Sequence, residues 1–373
     1  MKKIFTFTII VLFVFLLSVC ASAAHVLIEA ETGEVLLADN ETEQLPISSL
    51  AKIMTLLILA EEIEAGKISL SDSVPAPAEV MALKAPVIWL NPGEVMSAGE
   101  LAKAVIINSA NDATLALAVY ISNNAEEFTA RMNSRAAELG MTDTFFADPG
   151  GFDEKTISTA RDVALMTAEL FKKHEIFGEH FTTRLSAVRE NTEREAQLVN
   201  TNKLAMRYDG ILGGKAGQSS HAGFCVTNSA QRGELRLVSV ILSSKDEDER
   251  FALCEKLLDS GFADFEFAAP GPDIAEFSPI EVLRGVEKVV PATPAVPVRF
   301  IAPRGEGSRA KFEFSMAESV TAPVEKGQVL GNLTVRLGEK VVFECDIIAV
   351  HAVEELTFKK SLEILLERFF NNY

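Results

Sequence analysis

The spacing of apolar residues changes several times along the chain, and each change predicts a different structural element. Residues 25–38 alternate between apolar and polar side chains on both sides of Thr32-Gly33, which predicts a β-hairpin. Over residues 49–65 the apolar residues recur at helical intervals, and Gly66 supplies the residue type that often ends helices. After its first two dozen residues, the chain is therefore expected to form a hairpin and then a helix.

A block of further helices follows and ends in a second pair of strands. Helical spacing recurs in four segments: from a capping box at Ser97 and Glu100 through Ile107, over residues 113–121, around Met132, and over 160–171. Strand patterns return at 223–229 and 235–242, and residues 250–258 are helical again. This order predicts an α/β (α+β) domain over residues 24–267, with an antiparallel sheet built from both chain ends and helices packed on it.

Residues 268–352 differ in pattern from the part before them. A Pro/Gly break at 268–272 opens the segment, and helical periodicity disappears. On either side of Gly338, residues 333–337 and 341–345 alternate in polarity, which predicts a two-stranded ribbon. We therefore expect a small all-β C-terminal domain over 268–352.

The last segment, residues 353–373, returns to helical spacing. Its apolar side chains share one face: Phe358, Leu362, Leu365, Leu366 and Phe369. An amphipathic terminal helix either packs against its own protein or lies in a membrane interface. Both interpretations stay open, and the second makes the helix a membrane anchor.

The N-terminus has the features of a secretory signal. Lys2 and Lys3 precede an apolar run over residues 4–17, and Ala21-Ser22-Ala23 supplies small residues at a cleavage site. The run is too short to span a membrane comfortably. We therefore expect residues 1–23 to be a signal peptide and the protein to be exported. The alternative, a lipoprotein acylated at Cys20, is disfavoured because Val19 stands where a small residue is needed.

Composition and charge exclude several classes of protein. A hydrophobic fraction of 48% with 24% charged residues is typical of a globular chain. The net charge of −18 repels nucleic-acid phosphates, which disfavours a nucleic-acid partner. Of the four cysteines, Cys225, Cys254 and Cys345 would remain after removal of the signal peptide. They are widely spaced and odd in number, so no disulfide framework is expected. The histidines form no HExxH motif, so no zinc site is expected.

The first segment with chemical potential is Ser49-Leu50-Ala51-Lys52, at the start of the first helix. Residues i and i+3 share a helix face, so the Ser49 hydroxyl and the Lys52 amine can touch. A neutral lysine with a depressed pKa can take the proton of a serine nucleophile. By itself the SxxK pattern is weak evidence for a nucleophile, because an exposed serine and lysine in the first turn of any helix have the same spacing.

Two further segments hold candidate residues. Ser109-Ala110-Asn111 falls between two apolar helices, where a serine and an asparagine can relay a proton and hold an amide, or simply cap the helices. Residues 213–217, with Lys215 at their centre, precede the strand near Gly223. Their glycines allow an extended ligand to lie along a strand edge, although a glycine-rich hairpin entry has the same composition.

Taken together, SxxK, SxN and KxG in this order resemble the motif set of penicillin-recognising serine enzymes. The chain is similar to low-molecular-mass penicillin-binding proteins, the D-alanyl-D-alanine carboxypeptidases of the penicillin-binding-protein-5 type. The likeness extends to residues 47–55, 108–113, 158–162, 200–203 and 209–210, and to the β-rich C-terminal part with its amphipathic tail. It implies a serine-transpeptidase/β-lactamase-like fold for the first domain.

The resemblance also implies a role for each motif residue. Ser49 is the nucleophile that forms an acyl-enzyme, Lys52 its general base, and Ser109 the group that passes a proton to the leaving D-alanine. The implied substrate-binding residues are Asn111, Lys215, Gly217, Gln218 and Arg250. The backbone N–H groups of Ser49 and Gln218 would form the oxyanion hole, and Lys215 and Arg250 would face the terminal carboxylate. No cofactor and no metal are required.

The partners implied are peptidoglycan stem peptides ending in D-Ala-D-Ala, β-lactam antibiotics and, if the terminal helix is an anchor, a membrane surface. The expected location is the cell envelope, on the outer face of the cytoplasmic membrane. One departure stands out, because Ala216 occupies the place of the family's usual threonine. That loss motivates the hypothesis of a weakened enzyme that only binds penicillin, and a β-lactamase is a further alternative. Ser219 and Ser220 are candidates to replace the missing hydroxyl.

Overall fold

A computed structural model describes residues 23–269 and 279–371 of the chain, with side chains described up to residue 366. The predicted signal sequence lies outside the described residues except for Ala23, and so does most of the Pro/Gly break at 268–272. The side chain of Phe369, which the sequence places on the apolar face of the terminal helix, also lies outside them.

The first part of the chain alternates short strands with six helices. Its strands are β1 (Ala24–Glu29), β2 (Val35–Asp39), β3 (Leu45–Pro46), β4 (Ser73–Pro75), β5 (Val95–Ser97), β6 (Ile157–Ser158), β7 (Leu185–Val188), β8 (Ala196–Val199), β9 (Ile211–Ser219), β10 (Gly223–Arg232) and β11 (Leu235–Ser244). Its helices are α1 (Lys52–Glu64), α2 (Ala98–Asn108), α3 (Asn111–Ser122), α4 (Ala125–Glu138), α5 (Ala160–Phe171) and α6 (Glu247–Asp264).

Five strands form the central antiparallel sheet in the order β2-β1-β11-β10-β9. Ala24 of β1 pairs with Leu242 of β11, so the sheet joins the two ends of this part of the chain. Successive side chains of a strand point to opposite faces, so each strand serves two cores. Val26 packs with the helical block α1–α5, whereas its neighbour Leu27 packs with α6. The predicted hairpin and the antiparallel sheet with helices packed on it are confirmed.

Three local predictions needed correction. The helix predicted from Ser49 begins instead as a 3-10 helix, Ser48–Ala51, and the α-helix starts at Lys52. Ser48 has a φ of 48°, which does not fit an α-helix. The glycine-rich segment 213–217 does precede the strand that starts at Gly223, but it is itself part of a strand, β9, which the sequence did not indicate. The helix predicted from residue 250 starts at Glu247, because the Asp246 side chain caps it by accepting from the backbone N–H groups of Asp248 and Glu249.

The C-terminal part is built from short strands, as predicted. They are β12 (Phe265–Ala268), β13 (Ile280–Leu283), β14 (Val289–Val290), β15 (Ala292–Pro294), β16 (Phe300–Pro303), β17 (Lys311–Met316), β18 (Ser319–Thr321), β19 (Val329–Leu337) and β20 (Lys340–Ala349). β19 and β20 form the predicted ribbon. A separate core around Phe300, Leu333 and Ile347 holds this part together. β12 follows directly from α6 and pairs with β16, so the chain enters these sheets before residue 268.

The chain ends in helix α7 (Phe358–Asn371), whose apolar side chains face outward. Phe358 is 86% exposed and Leu365 is 66% exposed, and Leu362 and Leu366 are also exposed. None of the described helices is both long enough and apolar enough to cross a membrane. α7 thus presents a bare apolar stripe instead of packing that stripe against the rest of the protein.

Candidate active site

Ser49 and Lys52 lie together where the 3-10 helix passes into α1. The Lys52 amine donates a hydrogen bond to Ser49 Oγ over 3.0 Å and another to the carbonyl of Gly150, also over 3.0 Å. Lys52 is fully buried, although the amine of a lysine is normally charged and exposed to water. The i, i+3 contact expected from the sequence is therefore present, and the amine has two oxygen acceptors.

Burial changes the proton affinity of Lys52. Removal from water disfavours the ammonium form and lowers the pKa of Lys52 to about 7, against a smaller opposing effect of the Asp148 carboxylate. A large fraction of the amine is therefore neutral near neutral pH. A neutral amine 3.0 Å from a hydroxyl can accept its proton, which is what a serine nucleophile requires.

The loop that begins at Asp148 supplies the second acceptor for Lys52, and the sequence did not single it out. The Asp148 carboxylate accepts hydrogen bonds from the backbone N–H groups of Gly150, Phe152 and Asp153, at 2.7, 2.9 and 2.8 Å. These bonds fix the turn in which the Gly150 carbonyl points at Lys52. The run Asp148-Pro149-Gly150-Gly151 is a turn signal, but a turn signal does not say which side chain the turn will meet.

Ser109 and Asn111 flank the junction of α2 and α3. Ser109 has a φ of 60° and ends α2, and its buried Oγ has no hydrogen-bond partner within the described structure. The Asn111 side chain donates from Nδ2 to the Lys84 carbonyl over 2.7 Å and leaves Oδ1 unpartnered among the described residues. Asn111 does not cap α3, because Ala110 occupies the N-cap. Both side chains therefore keep a free polar atom, which simple capping does not explain.

Lys215 lies on β9, one of the two edge strands of the central sheet. It is 1% exposed, and its amine has no hydrogen-bond partner in the part of the chain that is described. Burial, and then the charge of Lys52, hold the pKa of Lys215 well below its usual value. β9 packs against the 3-10 helix Ser48–Ala51 that precedes Lys52, which brings the two buried lysines into the same region of the protein.

Glycine at 217 lets β9 approach the nucleophile. A Cβ at Gly217 would lie 2.9 Å from the backbone nitrogen of Ser49 and 3.2 Å from its Cβ, closer than side-chain carbons normally approach. The Ser48 hydroxyl donates to the Gln218 carbonyl over 3.2 Å, which ties the strand to the 3-10 helix. Ser49 and Gln218 are therefore held on neighbouring backbones.

Arg250 lies in the first turn of α6 and is only 3% exposed. Its Nη1 donates to the carbonyls of Gly217 at 2.7 Å and Cys225 at 3.0 Å, and Nη2 approaches Glu247 at 3.4 Å. Nε has no partner among the described residues. Burial lowers the pKa of Arg250, but a guanidinium stays charged at any physiological pH. A fixed cation thus stands at this end of β9.

A cleft of about 280 Å³ joins these groups. It is lined by Ser49, Pro86, Ser109, Thr201, Ala216, Gly217, Gln218, Glu247 and Arg250. Five of the eight residues expected from the sequence thus line one cleft. Lys52 contacts Ser49 directly, whereas Asn111 and Lys215 do not line the cleft itself. Pro86 and Glu247 are lining residues that the sequence did not indicate.

Pro86 reaches the cleft on a loop held by Asp112. The buried Asp112 carboxylate accepts from the backbone N–H groups of Ile88 and Leu90 at about 3.0 Å, and the Asn111 N–H donates to the Pro86 carbonyl over 2.7 Å. Asn111 and Asp112 therefore anchor the loop on both sides of Pro86. No sequence pattern signals such a contact, because it depends on how α3 is placed.

The hydroxyls proposed to replace a threonine at 216 are engaged elsewhere. Ser219 Oγ accepts from the Ala222 N–H at 3.0 Å, and Ser220 Oγ lies 3.3 Å from His221 Nδ1. Both bonds lie within the β9–β10 turn, and neither serine lines the cleft. That expectation was wrong, because the strand turns back before these side chains can reach the cleft. Thr201 is the threonine that lines it.

The chain matches known proteins over most of its length. A family model described as D-alanyl-D-alanine carboxypeptidase matches residues 17–246, and one described as penicillin-binding protein 5, C-terminal domain, matches residues 271–355. The chain is 35% identical over 335 residues to the D-alanyl-D-alanine carboxypeptidase DacF of Bacillus subtilis, covering 89% of this chain and 86% of that protein.

Two solved structures extend the comparison to the fold. Penicillin-binding protein 5 from Haemophilus influenzae is 27% identical, with a TM-score of 0.78 over 89% of this chain and 97% of that one. Penicillin-binding protein D2 from Listeria monocytogenes, solved in an ampicillin-bound form, is 28% identical, with a TM-score of 0.56 over 64% of this chain and 96% of that one. The likeness thus covers both the helical part with the central sheet and the C-terminal strands.

Proposed function

Because the chain belongs to the D-alanyl-D-alanine carboxypeptidase family and is a serine-type hydrolase of that class, we propose that its acyl-enzyme forms on Ser49. The observation that carries this assignment is the 3.0 Å hydrogen bond from the buried Lys52 amine to Ser49 Oγ, in the cleft that Ser109 and Gly217 also line. The substrate is the stem peptide of peptidoglycan, ending in D-Ala-D-Ala.

The acylation step moves one proton and exchanges one bond. Lys52 accepts the proton of the Ser49 hydroxyl as Oγ bonds to the carbonyl carbon of the penultimate D-alanine. The bond from that carbon to the nitrogen of the last D-alanine then breaks, and the proton passes through Ser109 to the departing amine. Support for the relay comes from the free, buried Oγ of Ser109. Water then hydrolyses the ester and restores Ser49.

The developing oxyanion requires donors that are already in place. The backbone N–H groups of Ser49 and Gln218 suit this task, because Gly217 lets the two backbones approach and the Ser48 bond holds them together. Fixed donors of this kind stabilise an acyl-transfer transition state by about 3–4 kcal/mol.

Substrate recognition falls to three polar side chains. The free Oδ1 of Asn111 is suited to accept the N–H of a substrate amide. Arg250 supplies positive charge for the terminal carboxylate because it stays charged when buried, and the unpartnered amine of Lys215 is a further hydrogen-bond donor for substrate. Gly217 and Gln218 offer the β9 edge, along which an extended peptide can lie. β-Lactam antibiotics, which acylate serine and carry a carboxylate, fit the same groups.

Ala216 removes one donor from this arrangement. Ala216 lines the cleft at the position where the family's threonine would supply a hydroxyl. The missing charge-assisted hydrogen bond corresponds to about 1.5–3 kcal/mol of binding. We infer an enzyme that binds its carboxylate end more weakly than relatives with the threonine.

We further propose that the chain works outside the cytoplasm in three parts: a catalytic domain at 24–267, a β domain at 268–352 and a terminal helix that lies in the membrane surface. The positive start, apolar run and small residues within 1–23 support export, because they are the features of a signal peptide. The bare apolar stripe of α7 supports the anchor, since water-exposed Phe358 and Leu365 would be buried in the interface.

The decisive experiment combines product release with site mapping. Purified protein should release D-alanine from diacetyl-Lys-D-Ala-D-Ala, and Ser49→Ala should abolish that release while the unfolding temperature is unchanged. Mass spectrometry of the benzylpenicillin adduct should place the modification on the peptide containing Ser49. Penicillin labelling without D-alanine release would point to a binding protein, and rapid turnover of the drug to a β-lactamase.

A further inference from the structure

Glu247 lines the active-site cleft beside Arg250, although nothing in the proposed reaction requires an acid there. It is the first residue of α6, and its side chain is 43% exposed. One of its carboxylate oxygens lies 3.4 Å from Arg250 Nη2, and the other lies 3.4 Å from the Lys203 amine. The carboxylate therefore stands between two cations at the end of the cleft assigned to the substrate carboxylate.

Arg250 has N–H donors on Nε and Nη2 that its short hydrogen bonds do not use. Its Nη1 is committed to the carbonyls of Gly217 and Cys225, at 2.7 and 3.0 Å. Nε is buried with no partner in the described structure, and Nη2 makes only the long contact to Glu247. A carboxylate binds a guanidinium best through two parallel hydrogen bonds, and Nε and Nη2 offer that pair. Glu247 uses only one of these two donors, and at a long distance.

We propose that Glu247 occupies the carboxylate-binding end of Arg250 in the free enzyme and is displaced by the terminal carboxylate of the substrate. The proposal rests on the function assigned above and concerns how that function is restrained. The resident carboxylate lowers the affinity for ligands that end in a carboxylate, because such a ligand must remove it first.

The structure offers a place for the displaced side chain. Lys203 is 46% exposed and already contacts both Glu247 and Asp248, the latter at 2.8 Å. Glu247 can therefore leave Arg250 and still pair with Lys203. Binding of the substrate carboxylate then leaves no unpaired charge on Glu247. Ala216 increases the effect, because without a hydroxyl at that position Arg250 carries a larger share of carboxylate binding.

A simpler explanation is that Glu247 only favours the start of α6. Acidic residues stabilise helix N-termini, and Asp248 and Glu249 occupy the same first turn. Of these three acids, only Glu247 lines the cleft and contacts Arg250. Glu249→Gln is therefore a matched control, since it removes the same charge from the same turn without touching the cleft.

The test compares Glu247→Gln with Glu249→Gln on two substrates: diacetyl-Lys-D-Ala-D-Ala and its C-terminal amide. For the free acid, Glu247→Gln should lower KM about two- to fivefold, the range expected for a partly exposed ion pair, and leave kcat unchanged. The amide has no carboxylate to compete, so its kinetics should not change. Glu249→Gln should alter neither substrate. The rate of acylation by benzylpenicillin, which carries a carboxylate, should rise with Glu247→Gln.

Three results would overturn the proposal. A higher KM for the free acid would mean that Glu247 positions Arg250 for the substrate. An equal change for acid and amide, or an equal effect of the two variants, would mean a general effect of charge. Failure of the proposed function is seen separately, because the unmodified protein would then release no D-alanine from the free acid.

Discussion

The amines of Lys52 and Lys215 are both buried, and the positive charge of Lys52 lowers the pKa of Lys215. Two ammonium groups in one desolvated region disfavour each other, so both are not readily protonated together. Burial, only partly offset by the Asp148 carboxylate, brings the pKa of Lys52 to about 7. The site thus provides a neutral amine next to Ser49 without any help from a histidine.

The first prediction concerns pH. The rate of acylation by benzylpenicillin should rise as pH increases through about 7, because the depressed pKa of Lys52 makes the active, neutral amine predominate above that pH. The test is to measure the acylation rate by rapid mixing from about pH 5.5 to about pH 8.5, a range that brackets the pKa of Lys52. Circular dichroism should confirm that the fold does not change over this range. An acylation rate that stays flat through pH 7 and begins to rise only at the alkaline end of this range would contradict the assignment of Lys52 as the base.

Asp148→Asn should shift that limb to lower pH. The Asp148 carboxylate raises the pKa of Lys52, so removing its charge lowers that pKa further and leaves the amine neutral in more acidic solution. The variant should also lose about 1–3 kcal/mol of stability, because Asp148 accepts several backbone hydrogen bonds in its loop. Asp153→Asn, in the same loop, is the control and should leave the limb in place. A shift to higher pH would refute this account.

Gly217→Ala should damage catalysis far more than folding. The added Cβ meets the backbone nitrogen of Ser49 at 2.9 Å and pushes β9 away from the nucleophile. Displacing one oxyanion donor lowers acylation about 100-fold or more. Ser219→Ala, on the same strand but outside the cleft, should acylate normally. Normal acylation of Gly217→Ala would show that the two backbones need not be so close.

Ala216→Thr should strengthen the enzyme. The new hydroxyl would line the cleft and donate to the substrate carboxylate, which predicts about a tenfold or greater gain in kcat/KM for diacetyl-Lys-D-Ala-D-Ala. Ala216→Val has nearly the same shape without the hydroxyl and should give no gain. If valine and threonine behave alike, volume and not hydrogen bonding governs this position.

The apolar stripe of α7 predicts binding to lipid. Full-length protein should sediment with phosphatidylcholine vesicles, and Leu365→Asp should reduce the bound fraction about tenfold, since an exposed leucine contributes roughly 1.5–3 kcal/mol when buried. Lys359→Gln changes the charge by the same amount on the polar face and should bind normally. Equal loss in both variants would mean that charge, not apolar burial, drives the association.

Local patterns predicted the parts of the structure that depend on nearby residues. The hairpin at β1 and β2 and the contact of Ser49 with Lys52 follow from spacings of two and three residues. The strand β9 escaped prediction because glycines weaken a strand pattern. Its Gly214 is needed all the same, since a Cβ there would lie 1.9 Å from the Thr227 carbonyl.

Residues brought to the site by distant contacts escaped prediction altogether. Gly150 meets Lys52 only because the loop begun by Asp148 packs over α1. Glu247 reaches the cleft only because α6 packs on β10 and β11, which brings its first turn to β9. Neither contact produces a regular spacing of residues in the sequence. The motifs therefore identified the reacting groups, whereas the groups that hold and restrain them required the folded chain.

The pairing of Ala24 with Leu242 sets the order in which the chain can fold. β1 can pair early with its neighbour β2, but its other edge stays open until the distant strand β11 reaches it. Closing so long a loop is slow compared with forming local helices. Folding should therefore start in the helical block over 52–171 and finish when the earliest strand docks between β2 and β11.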